Sequence, residues 1–271
     1  MAQVSWEEII SSDSFTFIVG KDGDKFIMHS AMVASQSKAL DRLANGEAME
    51  AIERSVVWKD VDKYTFIRFS QFAYMGAYKK VLPTKRLSYI PPPQPERVLR
   101  PNEKVVWNSA GSSRRSQLWE EFMNLYQLDH DYKTLENNPQ NDDLKVFLGH
   151  ARVYVFAECY GIEGLKQHSL ARLHVVLKVL GLYKSTICDF VGLVRYTYEN
   201  TAANKDALRS LLSSYAACNF EELWKSDGFQ QLFTECEDFF KGLDGKTPET
   251  VGVMPIEEAL IRPDEAKDGT G

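Results

Sequence analysis

At 271 residues the chain has room for one large domain or two small ones, and 44% hydrophobic, 12% aromatic and 26% charged residues are ordinary for a chain with a sizeable core. A formal net charge of -6 with a pI of about 5.5 argues against a surface built to track phosphates, so a direct nucleic-acid partner is not expected. The opening MAQVSWEEII lacks a basic region followed by a long apolar run, and the apolar stretch around Lys178 is too short to span a bilayer, so neither a secretory signal nor a membrane span is expected.

The first strong pattern is alternation. Phe15, Phe17 and Val19 alternate with Thr16 and Ile18, GKDG supplies a tight turn, and KFIM makes a second short strand, so Phe15–Met28 reads as a hairpin. From Ser30 the period changes to that of a helix. Val33, Ser37, Leu40 and Ala44 share one face, and Asn45-Gly46 stops the helix. SVVW is a third short strand. A helix then runs from an Asp62 N-cap to a Gly76 C-cap, with Phe66, Phe69 and Ala73 as its inner stripe.

After Tyr78 the character shifts. SYIPPPQPERVLRP is too rich in proline for a helix or a central strand, and NSAGSSRRSQ is a polar run without regular structure. LWEEFMNLYQL has the spacing of an isolated amphipathic helix carrying Leu118, Phe122 and Leu125, and NNPQNDD reads as a loop. Leu144, Leu148, Ala151, Val155 and Cys159 then mark a helix face closed by Gly161, with Ile162 folding back on the last turn. Leu165, Leu170, Leu173, Leu177 and Leu180 mark the next helix. Three more follow, on Ile187–Tyr198, Leu208–Tyr215 and Phe229–Phe240. The tail, residues 244–271, is expected to be mostly disordered.

Motifs that carry chemistry are missing. GKDG has neither the spacing nor the Lys-Ser/Thr ending of a phosphate loop. Cys159, Cys188, Cys218 and Cys236 are scattered, and each falls within a helical pattern, so they are expected reduced and buried in an intracellular protein of the cytoplasm, the nucleus or both. His168 and His174, six residues apart, fall on different sides of a helix, so no metal and no cofactor is expected.

The order of elements brings a family into view. SDSFTFIVGKDGDKFIMHSAMVASQS resembles the opening of the BTB/POZ domain, in which a Ser-Asp precedes the first strand and a His follows the second; Ser12, Asp13 and His29 match these positions. VVWKDVDKYTFIRFSQFAYMGAY is similar to that family's strand, DVD cap and aromatic helix, and AECYGIEGLKQHSLARL to its closing helix pair. The match covers Ser12–Tyr78 and Leu144–Leu180. It implies an α+β chain of BTB/POZ fold: a small sheet flanked by a helical cluster, with a long insertion and extra C-terminal helices. A BTB/POZ domain would occupy residues 1–181, interrupted by a Pro-rich insertion at about 79–143, and residues 182–243 would form a helical extension. That combination resembles the small BTB proteins of filamentous fungi.

The resemblance also carries expectations about function. It implies a non-enzymatic protein–protein interaction module, an adaptor or self-associating unit, with itself or a cullin scaffold of a ubiquitin ligase as partner. Asp13 and His29 become framework residues at the strand-to-helix turn. The cullin contact in the family is an apolar-x-Glu motif before the third strand; counting back from SVVWKDVD places it on Ala48, Met49 and Glu50, with Ala48 a small substitute for the usual large residue. Self-association would use the short N-terminal helix presenting Trp6, Ile9 and Ile10. The alternatives are a transcriptional co-regulator acting through BTB dimerisation and, from another class, an enzyme whose site is assembled in space without sequence motifs.

Overall fold

A computed structural model describes residues 4–86, 114–126, 138, 140–179, 181–202 and 206–243. The proline-rich stretch and the tail fall outside these residues. Over the described residues the chain is mixed α+β, mostly helical, with a small three-stranded sheet.

The hairpin forms as its alternation demands. β1 (Ser14–Val19) pairs antiparallel with β2 (Asp24–His29), in register from Ser14 opposite His29 to Val19 opposite Asp24. Gly20 and Gly23 hold the turn at φ 76° and 68°, where a side chain would be strained. β3 (Ser55–Trp58) returns parallel on the other side of β1, giving the order β2-β1-β3. Phe15, Phe17 and Val19 point to the inner face and are completely buried, while Ile27 and Val57 stand exposed on the outer face.

α1 (Trp6–Ser11) opens the chain. The helix expected after the hairpin is two: α2 (Ser30–Ala34) and α3 (Lys38–Asn45). The break is chemical. The Ser35 hydroxyl and the Gln36 amide donate to the Met32 carbonyl, competing with the helical ladder. Ser37 then sits extended and its hydroxyl accepts from the Leu40 N–H at 3.1 Å, starting a new helix. A further short helix, α4 (Met49–Glu53), occupies the segment before β3 and ends at Arg54 in the left-handed region, φ 50°. α5 (Lys63–Met75) has the expected caps: Asp62 accepts from the N–H groups of Tyr64 and Thr65, and Gly76 ends it at φ 70°.

The segment read as an insertion is rooted in the core at both ends. Tyr78 and Val81 are buried, and β4 (Thr84–Lys85) pairs antiparallel with β5 (Asn141–Asp142), where a plain loop was expected. The amphipathic helix expected at LWEEFMNLYQL, docked by Trp119 or Phe122, is α6 (Arg114–Met123), which begins inside the run expected to lack regular structure. It is docked. Leu118, Trp119 and Phe122 are buried against the later helices Glu163–Val179 and Ala207–Leu223, whereas Leu125 lies beyond the helix and is exposed.

α7 (Asp143–Cys159) and α8 (Glu163–Val179) follow, then α9 (Lys184–Asn200), α10 (Ala207–Leu223), α11 (Asp227–Glu235) and α12 (Glu237–Lys241). Gly161, at φ 65°, closes α7, and the Ile162 N–H donates to the Ala157 carbonyl at 2.8 Å, the fold-back its sequence promised. The last helical pattern is again two helices, kinked at Cys236 (φ -133°, ψ 64°), which turns Phe239 rather than Phe240 fully inward.

Two hydrophobic clusters result, and α7 joins them. Val146, Phe147, Ala151 and Tyr154 belong to the larger, with α6, α8 and the C-terminal helices; Val153, Phe156 and Ala157 belong to the smaller, with the sheet, α2, α3 and α5. A helix buried on two sides has no single stripe. The expected face is therefore corrected: Leu144, Leu148 and Val155 are only half-buried, and Cys159 is exposed. The thiols are corrected in the same way. Cys218 is buried and Cys236 half-buried, but Cys159 at the end of α7 and Cys188 on the outer side of α9 are exposed.

Candidate interaction surfaces

α1 is a complete small unit. Ser5 and Glu8 form a capping box, the Glu8 N–H donating to the Ser5 hydroxyl at 3.2 Å and the Ser5 N–H to the Glu8 carboxylate at 2.8 Å. This fixes which side chains turn inward. Ile9 is buried against the sheet cluster, so it anchors the helix, and the expectation that it belongs to the self-association surface is corrected. Trp6 and Ile10, one turn apart, remain 64% and 66% exposed.

Ala48 is the exposed N-cap of α4, with no side-chain hydrogen bond, and Glu50 lies in the first turn, also exposed. Met49 is 62% exposed and Ile52, three residues on along the same helix, 69% exposed. Ile52 escaped the motif count, although the i, i+3 spacing of two large apolar residues in a charged five-residue helix was visible in the sequence. Val57 on β3 was missed because alternation says which residues share a face, not which face is covered.

Asp13, just before β1, and His29, at the end of β2, do not pair with one another. The Asp13 carboxylate pairs with Arg54 at 2.7 Å, both exposed. The Tyr74 hydroxyl of α5 meets His29 twice: the His29 N–H donates to it at 3.0 Å, and His29 Nδ1 lies 2.8 Å from it. The strand-to-helix turn itself is held by the Ser30 N–H on the Asp13 carbonyl (2.8 Å) and the Ala31 N–H on the Ser12 hydroxyl (3.2 Å). Ser12 thus contributes a cap to α2 from the end of α1, a role the sequence did not reveal.

Two polar clusters lie inside the molecule. Asp143 and Asp189 are almost fully buried where the N-terminal turns of α7 and α9 meet. Asp189 accepts the Asp143 N–H at 3.1 Å and is ion-paired with Arg86, while Thr186 donates to Asp143 at 3.0 Å. Burial pushes both carboxyl groups up to about 6, against the pull of Arg86 on each and of Thr186 on Asp143. In the second cluster, Tyr78 and His150 are bonded at 2.9 Å and Arg172 donates to the Tyr78 carbonyl at 2.8 Å. Burial, then the charge of Arg172, pushes His150 well below the usual imidazole range, so it is neutral, and the direction of its Nδ1 bond with the Tyr78 hydroxyl follows its tautomer. Both clusters tie elements distant in sequence.

Among the described residues no group of three or more His, Cys, Asp or Glu side chains is placed to hold a metal ion, and no helix is long and apolar enough to cross a membrane. No family model matches the chain, and no curated protein shows significant similarity to it.

Proposed function

We propose that the chain is a non-enzymatic protein–protein interaction module of BTB/POZ type, working as an adaptor or self-associating unit. The observation that carries this reading is the apolar surface of two short helices: Trp6 and Ile10 on α1, and Met49 and Ile52 on α4, all mostly in water. Exposed apolar groups in a cluster mark contact surfaces, since covering them gains roughly 25 cal/mol per Å². The ordered motif resemblance from Ser12 to Tyr78 and Leu144 to Leu180 supports the BTB/POZ type.

Two uses follow, one per helix. α4 is the candidate contact to a cullin scaffold. There Ala48 leaves a partner's pocket underfilled, and Glu50 is free to hold its rim. Ala48→Met should strengthen binding to a cullin N-terminal domain, by about tenfold if roughly 1.4 kcal/mol of its added apolar surface is covered. Glu50→Ala should abolish what binding there is. Titration of the three proteins by calorimetry decides the matter, and binding indifferent to both changes sinks this use. α1 is the candidate self-association surface, which would suit a co-regulator acting through dimerisation. Light scattering of wild type against a Trp6→Ser, Ile10→Ser double variant tests it, and an unchanged mass refutes it.

A second reading, an enzyme without sequence motifs, draws on one observation: the perturbed carboxyl pair of Asp143 and Asp189. A turnover lost in Asp143→Asn while the fold and the partner binding persist would favour it.

A further inference from the structure

β2 is an edge of the sheet, and its hydrogen-bonding pattern leaves a defined set of groups unused. The Ser30 N–H donates to the Asp13 carbonyl just before β1. Alternation along an antiparallel ladder then directs Asp24, Phe26 and Met28 toward β1, and Lys25, Ile27 and His29 away from it. The outward His29 N–H is taken by the Tyr74 hydroxyl of α5. Among the described residues the N–H and C=O groups of Lys25 and Ile27 remain, while the His29 carbonyl, at the N-cap of α2, accepts the first bond of that helix. Ile27, beside this open ladder, is 64% exposed.

Beside this edge runs a groove of about 270 Å³ between β2 and α5, lined by Phe26, Met28, Tyr74 and Met75 among others. Met75 is 62% exposed. The charges are also sorted. Asp24 is neutralised by Lys63 at 2.8 Å, whereas Lys25 is exposed and has no ion pair among the described residues. The edge thus offers a short ladder, an apolar slot on its inner side, an apolar side chain on its outer side and one free cation.

We propose that the free edge of β2 docks an extended segment of a partner protein, which adds antiparallel as a fourth strand. The segment it fits has a β-branched residue opposite Ile27, an apolar residue next to it entering the groove, and an acidic residue opposite Lys25. The ladder supplies affinity, and the alternate side chains supply selectivity. Tyr74, holding the His29 N–H, sets the end of the ladder, so the docked strand is short. This goes beyond the adaptor reading and is independent of it: neither α1 nor α4 takes part, and failure of the cullin titration leaves the β2 edge untouched.

The test uses the full chain, isotope-labelled, and a blocked, otherwise threonine-rich peptide of about eight residues whose central Val-Leu-Glu places valine opposite Ile27, leucine at the groove and glutamate opposite Lys25. The expected result is saturable shifts of the Lys25, Ile27 and His29 amides, with slowed exchange at Lys25 and Ile27. Lys25→Glu should weaken binding severalfold, and a peptide with lysine in place of the glutamate should restore it. A peptide N-methylated on its ladder-forming amides should not bind. No shift at about 1 mM peptide, a threshold for even weak affinity, overturns the proposal. So does equal binding of the N-methylated peptide, or indifference to the charge swap. Protection of Lys25 and Ile27 that grows with protein concentration alone also overturns it, because a second copy would then occupy the edge.

Discussion

Phe122→Ala tests whether the return helix of the insertion belongs to the core. Phe122 is 1% exposed, its ring lies 4.8 Å from His174 and 5.6 Å from Tyr215, and its carbonyl accepts from His174 Nε2 at 2.6 Å. Truncating such a ring removes both transfer energy and contacts, and the usual cost is about 3–5 kcal/mol. Against a total stability of about 5–15 kcal/mol this is a large fraction. For a chain of this size it corresponds to a fall in Tm of about 6–20 °C, at roughly 2–4 °C per kcal/mol. Leu125→Ala, a few residues on but half exposed and outside the helix, should stay within about 0.5 kcal/mol. Urea unfolding followed by far-UV circular dichroism measures both. If α6 were an appendage, Phe122→Ala would leave the main transition in place and affect at most a minor early phase. A midpoint within about 1 kcal/mol of wild type would refute the packing argument.

The Asp143–Asp189 pair sets a pH dependence. Their folded values near 6 lie above the ordinary 3.8, so their contribution to stability is full below pH 3.8 and is lost as pH rises through about 6. His174, held down to about 4 by burial, acts in the opposite sense: its contribution is full above pH 6.5 and is lost as pH falls through about 4. Asp143→Asn should therefore raise Tm at pH 7.5 more than at pH 5, and an equal effect at both would show that the carboxyl is not titrating. His29→Ala should lower stability by about 1–2 kcal/mol, as loss of one partly buried hydrogen-bonded group does, and Tyr74→Phe should cost less than that again in the His29→Ala background. A strictly additive double-mutant cycle by chemical denaturation would show that the pair is not coupled. The cullin titration completes the set: Ala48→Met tightens, Glu50→Ala abolishes.

The local elements are legible from short stretches of the chain. The hairpin, β3, the caps of α5 and the glycine stop of α7 follow from alternation, a carboxylate at an N-cap and residues free to take positive φ, all decided within a few residues. Where it misled, competition between local groups or between distant surfaces was responsible. Ser35, Gln36 and Ser37 split one apolar period into α2 and α3 through their own hydrogen bonds. α7 has no single apolar stripe because it serves two cores, so a one-face reading selected its half-buried flanks. Ile9 and Trp6 belong to the same short helix, and only contact with the sheet cluster turns one inward and leaves the other in water. The partners of Asp13 and His29, Arg54 and Tyr74, lie 41 and 45 residues away along the chain, beyond the reach of any spacing rule. The free edge of β2 and the groove beside it belong to the tertiary structure alone, because whether a strand's outward groups are covered depends on what the rest of the chain packs against it.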